Sequence, residues 1–261
     1  MSEQADVPSA PPVAVFLSLV IPAYNEANNL RNTLQRSWAY LSSRNYVSEL
    51  LVVDDGSVDS TAEIAREFAR IHDAIRLLSI PHGGKAAALR AGMLATKGEL
   101  IAFSDADLAT PLANLEGFIE AINSGCDVVI GSREGAGAHR FGEPKYRHIM
   151  GRGFNLLVRA LVLPGIQDSQ CGFKLFRRAA AQEILSRTQL YRNSKLIQGP
   201  RVTAFDVELL VIARRLGYTI CNFAVDWTYG KGSKVNPIRD TWTNLTDVLT
   251  VKINDVRGRY R

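Results

Sequence analysis

The feature that most constrains the fold of this chain is the regular alternation, in its first half, of short apolar runs with stretches of helical periodicity. The runs predict five strands: Phe16–Ile21, Leu50–Val53, Ile75–Ser79, Leu100–Phe103 and Asp127–Ile130. The stretches between them predict four helices: Glu26–Leu41, Asp59–Ile71, Lys85–Ala95 and Pro111–Asn123. Strands joined by crossover helices are typical of an α/β fold with a mostly parallel sheet flanked by helices.

The length of 261 residues, 46% of them hydrophobic, is enough for one large domain with a substantial core. We expect a disordered tail over residues 1–14, an α/β domain over 15–235 and an amphipathic helix over 236–261. No apolar stretch is long enough to cross a bilayer, and the acidic first residues do not resemble a signal peptide. Three cysteines far apart suggest neither a disulfide framework nor a zinc cluster, and they fit a reducing cytosol.

Charge is divided unequally along the chain. Residues 1–132 hold 9 Lys and Arg against 16 Asp and Glu, whereas residues 133–261 hold 22 against 10. Such a chain could meet nucleic acid, an anionic membrane surface or a phosphorylated substrate. Nucleic acid has the least support, because the basic residues are scattered and no nucleic-acid-binding module accompanies them.

Two aspartates, Asp105 and Asp107, follow the predicted strand Leu100–Phe103 at its C-terminal end. Open α/β sheets bind ligands at that end of their strands. Carboxylates at i and i+2 can bind one Mg²⁺ or Mn²⁺, which in turn holds a diphosphate. Asp-x-Asp is a weak motif, since aspartate is common in turns, so a metal site and a solvated turn both remain possible at this stage.

Polar, glycine-containing turns lie at the same predicted sheet edge: Pro22-Ala-Tyr-Asn-Glu26, Asp54-Asp-Gly-Ser57 and His82-Gly-Gly-Lys-Ala86. Glycines beside a helix N-terminus free backbone N–H groups for an anion, and Lys85 adds a charge suited to phosphate. Asp54 or Asp55 can accept an N–H of a base, and Tyr24 can stack on one. Each residue alone is also explained as part of a turn or a cap, but their coincidence favours a nucleotide site.

At these motifs the chain resembles the nucleotide-sugar-dependent glycosyltransferases of family two, which have the Rossmann-like GT-A fold, over residues 16 to about 235. The resemblance implies that Asp105 and Asp107 carry Mg²⁺ or Mn²⁺ on the donor diphosphate. It implies that a further set binds the nucleotide: Pro22, Ala23, Tyr24, Glu26, Asp54, Asp55, Gly84, Lys85 and Asp105. Family members usually have glycine where this chain has Ala86, which permits the helix but not a positive φ.

The second half resembles the dolichyl-phosphate glucosyltransferase branch of the polyprenyl-phosphate glycosyltransferases. The motifs are Gly131-Ser-Arg133, Asp168–Phe176, Ala204–Leu210 and Trp227–Ser233. The resemblance implies that phosphate is bound by Arg133, Arg147 and Lys174. It implies the catalytic set Asp107, Asp168, Arg133 and Lys174. Glu208 is left open between a site residue and a helix-surface salt bridge.

The implied reaction is the inverting transfer of a sugar, glucose from UDP-glucose, to a polyprenyl or dolichyl phosphate. A phosphate monoester is largely dianionic at pH 7, so it needs cations beside it more than a general base. The alternatives are a GDP-mannose donor, a non-polyprenyl acceptor or a non-catalytic membrane scaffold. The presence of Asp105, Asp107 and Asp168 disfavours the scaffold. A nucleotidyltransferase would need a glycine-rich loop directly after the first strand, where Pro22 stands.

Two stretches predict amphipathic helices, Arg147–Leu163 and the tail from Pro237. On the first, one stripe holds His148, Arg152, Asn155 and Arg159, and the apolar residues Ile149, Met150, Phe154, Leu157, Val158 and Leu161 face elsewhere. On the second, one side holds Ile238, Trp242, Leu245, Leu249, Ile253 and Val256. Core packing explains such stripes as well as membrane contact does. With the resemblance, we expect a peripheral enzyme at the cytoplasmic face of a membrane, held by the anionic surface or by an integral-membrane partner. The polar, basic stretch Arg187–Arg201 is expected to be an inserted loop over the acceptor side.

Overall fold

The computed structural model describes residues 14–192, 203–230 and 237–261. The strands are β1 Leu17–Ala23, β2 Ser48–Asp54, β3 Ile75–Ser79, β4 Leu100–Phe103, β5 Val128–Ser132, β6 His139–Phe141, β7 Lys174–Arg177, β8 Ile220–Ala224 and β9 Asp226–Thr228. The helices are α1 Ala27–Ser42, α2 Thr61–Ile71, α3 Lys85–Ala95, α4 Asn114–Asn123, α5 Lys145–Leu161, α6 Arg178–Arg187, α7 Phe205–Arg215 and α8 Pro237–Val256. The elements predicted in the first half are confirmed, and β3, α3 and β4 keep their predicted bounds.

Seven strands form one sheet in the order β3-β2-β1-β4-β7-β5-β8, and β6 pairs with β9 in a separate parallel ribbon. Parallel pairing joins β3 to β2, β2 to β1, β1 to β4 and β5 to β8. Strand β7 runs antiparallel to both of its neighbours, β4 and β5. The predicted mostly parallel sheet is confirmed, with a reversed strand that the sequence did not predict.

This topology brings the polar turns to one edge of the sheet. Strands β1, β2 and β4 end there, and the strand order reverses between β1 and β4, where open α/β sheets bind ligands. Because β7 is antiparallel, its first residue lies at this edge: Lys174 pairs with Phe103 at the end of β4 and with Ile130 in β5.

Two apolar cores lie on opposite faces of the sheet, because successive strand residues point to opposite faces. In β1, Leu19 and Ile21 pack on the side of α1, α2 and α4, and Val20 packs on the side of α3, α6 and α7. Helix α7 is buried over nine consecutive residues, Phe205–Ala213, between its neighbours α6 and α8.

The C-terminal helix α8 packs on the second of these cores. Val248, Val251 and the following Tyr260 are fully buried in it. The described part of the predicted C-terminal helix is thus continuous with the packing of the α/β domain.

Both predicted amphipathic helices, α5 and α8, turn apolar side chains outward. The exposed apolar residues are Ile149, Met150, Leu156 and Leu157 on α5 and Trp242, Leu249, Ile253 and Val256 on α8. The residues that α8 buries include the polar Asn244, Asp247, Asn254 and Asp255. One residue departs from the predicted stripe of α5: Asn155 is buried, with its side-chain amide 3.5 Å from the carboxylate of Asp168.

Some predictions lie outside the described residues. They are the tail up to residue 13, residues 193–201 of the expected inserted loop, residues 231–233 of one motif, the domain boundary at 235–236 and the side chain of Ile238.

The expectation that the cysteines form no disulfide is wrong. Cys126, just before β5, is bonded to Cys221 in β8, with the two Cα atoms 6.1 Å apart, while Cys171 is free and buried. Parallel pairing of β5 with β8 brings together two residues that are 95 positions apart in sequence. Cysteine usage therefore gives no argument for a reducing compartment.

Replacing the bonded pair, Cys126→Ser with Cys221→Ser, is expected to lower the free energy of unfolding by about 2–4 kcal/mol, because the bond restricts the unfolded chain. Guanidinium unfolding with and without dithiothreitol measures this. The double variant should be insensitive to the reductant. Equal unfolding midpoints for the oxidised wild type and the double variant would contradict the assignment.

Candidate active site

The turn after β1 is fastened to the turn after β2 by side chain to backbone hydrogen bonds. The backbone N–H of Asn25 donates to Ser57 Oγ (2.9 Å), and Asn25 Oδ1 accepts the N–H of Val58 (2.9 Å). Asn25 has a φ of 53°, which asparagine tolerates better than most residues. The next residue, Glu26, donates its N–H to Thr61 Oγ1 (2.8 Å) at the start of α2. Two of the predicted nucleotide-binding turns are thereby held as one unit.

Asp55 organises the third predicted nucleotide-binding turn. Its buried carboxylate accepts the N–H groups of Gly83 and Gly84, both at 2.8 Å, and lies 2.8 Å from His82 Nδ1. Gly84 has a φ of 87°, a conformation that a side chain would strain. The predicted base partner Tyr24 stacks on the His82 ring with centroids 3.9 Å apart. The structure thus brings Tyr24, Asp55 and Gly84 together, with Asp55 as the support of the turn.

Asp54 and the backbone around it complete this edge. The carboxylate of Asp54 is buried and accepts the N–H of Ser57 (3.1 Å). Pro22 and Ala23 form the end of β1, and Ala23 pairs with Asp54 across the sheet. These predicted residues meet where the sequence placed them.

The Asp-x-Asp pair lies beside Lys85 at the start of α3. Lys85 Nζ is 2.5 Å from Asp105 Oδ1, and Asp107 Oδ1 accepts the N–H of Ala109 (3.0 Å). Burial and the neighbouring Asp105 raise the pKa of Asp107. Burial alone would lower the pKa of Lys85, but Asp105 and Asp206 outweigh it and raise that pKa. The site thus concentrates negative charge that one lysine only partly offsets.

These residues fit a divalent cation shared with a diphosphate. Asp105 and Asp107 offer hard carboxylate oxygens, and the side chain of Asp105 is 40% exposed. Across residues 14–192, 203–230 and 237–261, no three His, Cys, Asp or Glu side chains are grouped as metal ligands. An ion held by two carboxylates would therefore complete its shell with phosphate oxygens and water, as Mg²⁺ and Mn²⁺ commonly do.

Lys174, predicted to contact phosphate, is fully buried beneath this edge. Its Nζ donates to Asp206 Oδ1 (2.6 Å) and to the carbonyl of Cys171 (2.5 Å), and it lies 5.3 Å from the centre of the Phe103 ring. The negative charge of Asp206 also helps to raise the pKa of Lys85. The ammonium of Lys174 is thus neutralised by a carboxylate from α7.

Gly172 makes room for the Asp105 carboxylate. A Cβ atom at position 172 would lie 1.9 Å from Asp105 Oδ2. Similarly, a Cβ at Gly230 would lie 3.0 Å from Asp107 Oδ2. Glycine at 172 therefore lets the backbone between Asp168 and Lys174 approach the metal carboxylates directly.

Arg133 and Asp168 form a bidentate ion pair after β5. Arg133 donates from Nε (2.7 Å) and Nη2 (2.8 Å), and its backbone N–H also donates to the Asp168 carboxylate (3.0 Å). Burial alone would raise the pKa of Asp168, but Arg133 holds it well below its usual range. A guanidinium carries five N–H donors, so this contact leaves donors for an anionic ligand.

Three arginines and two aromatic residues, Arg133, Arg140, Arg147, Trp227 and Tyr229, form what we call the arginine–aromatic cluster. The Arg133 guanidinium lies 5.4 Å and that of Arg140 6.0 Å from the centre of the Trp227 ring. Arg147 lies 5.3 Å from the Tyr229 ring and donates to the Tyr229 hydroxyl (3.0 Å). Thr228, between the aromatic residues, donates its N–H to the carbonyl of Ala109 in the Asp-x-Asp turn (2.9 Å). This bond joins the stretch that carries Trp227 and Tyr229 to the turn that carries Asp107.

Sequence reasoning missed the roles of Arg140 and Asp206. Arg140 donates hydrogen bonds to Glu134 and Glu143. Its spacing of seven residues from both Arg133 and Arg147 is a sequence feature that could have indicated it as a member of the site. Asp206 lay within a recognised motif, but only contact with Lys174 reveals its place. Glu208, which was left open, is buried and accepts the N–H groups of Gln189 and Leu190, so it is no surface salt bridge.

Comparison with known sequences identifies similar proteins. Residues 18–185 match the family described as glycosyl transferase family 2. A dolichyl-phosphate beta-glucosyltransferase from Trichomonas vaginalis is 37% identical over 94% of this chain and 71% of its own length. The dolichyl-phosphate beta-glucosyltransferase of Homo sapiens is 33% identical over 94% of this chain and 77% of its own length.

Solved structures share the fold at lower identity. Glucosyl-3-phosphoglycerate synthase from Mycobacterium tuberculosis, in complex with Mn²⁺, UDP-glucose and phosphoglyceric acid, has a TM-score of 0.58 at 20% identity, covering 94% of this chain and 80% of that one. A mannosyltransferase from Pyrobaculum calidifontis, in complex with GDP-Man and Mn²⁺, has a TM-score of 0.57 at 19% identity, covering 95% of this chain and 68% of that one. The predicted GT-A fold is confirmed.

Substituting Gly172→Ala is expected to weaken Mn²⁺-dependent UDP binding, because the new methyl group displaces the Asp105 carboxylate. Overpacking of this kind costs about 1–3 kcal/mol, and a cost of that size in the bound state corresponds to about five- to 150-fold in affinity. Isothermal titration of UDP in the presence of Mn²⁺ measures it. The matched control is Gly151→Ala in α5, where a Cβ meets nothing within 4 Å. Unchanged affinity in Gly172→Ala would show that Asp105 does not depend on this space.

Proposed function

Because this chain belongs to glycosyl transferase family 2, we propose that it transfers glucose from UDP-glucose to the phosphate of a dolichyl or related polyprenyl phosphate. The support for the donor and acceptor comes from relatives named dolichyl-phosphate beta-glucosyltransferase, which are 30–37% identical over most of the chain. The observation in this chain that carries the proposal is that the stretch holding the cluster's aromatic residues reaches the Asp-x-Asp turn: Thr228 bonds to Ala109, and the backbone of Gly230 approaches Asp107.

That position suits an anionic acceptor next to an anionic donor. Tyr229, which accepts a hydrogen bond from Arg147, immediately precedes Gly230, whose backbone approaches Asp107. Two phosphate groups brought this close repel each other unless cations lie between them. Arg133 and Arg147 supply those cations in the proposed complex, and Asp168 fixes the orientation of Arg133.

The proposed chemistry is a single displacement at the anomeric carbon. An oxygen of the acceptor phosphate forms the new bond to that carbon as its bond to UDP breaks, and the electron pair of the broken bond leaves with UDP. A second phosphate pKa near 6 makes the acceptor its own nucleophile at pH 7, without a general base. A divalent cation bound to Asp105 and Asp107 would stabilise the charge developing on UDP. Lys85 contributes positive charge at the same place.

The test is transfer from labelled UDP-glucose to polyprenyl phosphate in detergent with Mn²⁺. Label is expected in the lipid fraction, and EDTA or Asp107→Ala should abolish it, because the donor diphosphate loses its cation. Asp73→Ala, at an exposed position on another part of the surface, is the matched control and should retain activity.

Other results of the same assay would revise the proposal. Metal-dependent release of UDP with the label left in water would exclude the lipid acceptor. Transfer from GDP-mannose but not from UDP-glucose would exclude the donor. If Asp107→Ala retained both the transfer of glucose and the release of UDP, a catalytic role of the Asp-x-Asp pair would be excluded.

We further propose that the protein is peripheral at the cytoplasmic face of a membrane. Within residues 14–192, 203–230 and 237–261, no helix combines the length and apolar character needed to cross a bilayer. Helix α5 contains Lys145, Arg147, Arg152 and Arg159 and no acidic residue. From residue 242 to 261 both acidic residues, Asp247 and Asp255, are buried, while basic residues accompany the exposed apolar side chains. Apolar and cationic surface together fit the anionic lipid of the cytoplasmic leaflet.

Substituting Ile253→Asn in α8 is expected to reduce binding to vesicles that contain anionic lipid, because Ile253 is 49% exposed on the proposed contact surface. Ile71→Asn is the matched control, because Ile71 is also exposed (74%) but ends α2 on another part of the surface. Co-sedimentation with vesicles measures both. Equal binding by the two variants would contradict the proposed contact surface.

A further inference from the structure

One carboxylate on the inner side of α8, that of Asp247, binds two residues that are distant from it in sequence, Tyr191 and Ala204. Asp247 accepts a hydrogen bond from the Tyr191 hydroxyl (2.7 Å to Oδ2) and another from the backbone N–H of Ala204 (3.0 Å). Asp247 is 8% exposed, and Ala204 is fully buried. Asp247, on the buried side of α8, thus fixes the backbone just before α7.

A second buried carboxylate holds the same region. Glu208 of α7 accepts the N–H groups of Gln189 (2.8 Å) and Leu190 (3.0 Å) and the hydroxyl of Tyr260 (2.8 Å). Tyr260 is fully buried and follows α8 in the chain. The C-terminal region therefore supports the start of α7 at two points.

The start of α7 also carries Asp206, which belongs to the candidate active site. Ala204 immediately precedes the helix, and Asp206 in its first turn carries the ion pair with Lys174. Lys174 itself lies at the active-site edge of the sheet, where it pairs with Phe103 at the end of β4. A shift of α7 at Ala204 would therefore move the carboxylate that holds Lys174.

We propose that Asp247 is a positioning residue for the transfer reaction: by fixing Ala204 it sets the place of Asp206, and through Asp206 the place of Lys174. This inference rests on the proposed function for the reaction that it serves. It assigns α8 a part in the active site in addition to its outward surface.

Both donors reach the same oxygen at position 247. The Tyr191 hydroxyl lies 2.7 Å from Oδ2, and the N–H of Ala204 lies 3.0 Å from it. An asparagine with its amide oxygen in the place of Oδ2 would keep both hydrogen bonds, and its NH₂ group could donate to the Tyr191 hydroxyl. The informative variant is therefore Asp247→Ala, which removes the acceptor.

The matched control is Asp255→Ala on the same helix. Asp255 has the same exposure as Asp247, 8%, but it pairs with Arg215 at the far end of α7. Both variants remove a buried carboxylate of α8. A purely structural role predicts similar effects of the two on activity.

We expect Asp247→Ala to lower kcat by about tenfold or more, with KM for UDP-glucose within about twofold of the wild type, and Asp255→Ala to keep kcat within about twofold. Thermal unfolding of both variants accompanies the kinetics. Equal losses of kcat in the two variants, or a change confined to KM, would overturn the proposal.

A double-mutant cycle tests the route through Asp206. The background is Lys174→Met with Asp206→Asn, which removes both charges and leaves neither partner buried alone. Adding Asp247→Ala to that background should change kcat by less than about twofold, because its effect acts through the pair. If the effects of the position-247 variant and of the background on kcat multiply, Asp247 acts by another route.

The same cycle, measured on the rate of metal-dependent release of UDP from UDP-glucose into water, separates this inference from the proposed function. If the wild type transfers no glucose to polyprenyl phosphate, the proposed function fails. A slower release in Asp247→Ala that disappears in the Lys174→Met, Asp206→Asn background would still support the positioning role, and an unchanged rate of release would overturn it.

Discussion

The contact on which the candidate active site most depends is the buried ion pair between Lys174 and Asp206. An ammonium placed in the interior is stable only with a partner, and removing one member of such a pair costs about 3–5 kcal/mol. The pair joins the reversed strand β7 to α7 directly below the edge that carries Asp105. The start of β7 and the first turn of α7 therefore depend on each other for their stability.

The first half of the fold could be predicted because its signals are local. Strand β4 is a run of four apolar residues, and α3 begins at Lys85 directly after two glycines, so periodicity and turn chemistry determine them. The predicted nucleotide turns met for the same reason, since the ends of parallel strands share an edge. The sequence cannot show that β7 enters the sheet antiparallel, because a four-residue strand carries no signal of direction.

The site could be predicted as a set of residues but not as a set of contacts. Lys174 was expected to reach a phosphate, yet it contacts Asp206, the Cys171 carbonyl and the Phe103 ring. Asp206 and Phe103 are far from Lys174 in sequence, so these contacts could not be predicted without the fold. Asn155 was placed on a polar stripe because periodicity cannot distinguish a polar residue facing water from one facing Asp168. The Cys126–Cys221 bond was missed because spacing along the chain says nothing about strands that pair across a sheet.

That bond also bears on how copies of this protein meet one another. Strand β8 is the last strand of the seven-stranded sheet, and an edge strand offers backbone groups to which another chain can add. Exchange of β8 between two copies would require it to leave β5, and the covalent link to Cys126 prevents this while the cysteines are oxidised. The disulfide therefore keeps β8 in the sheet of its own chain while the cysteines are oxidised, and reduction removes this covalent restraint against domain swapping.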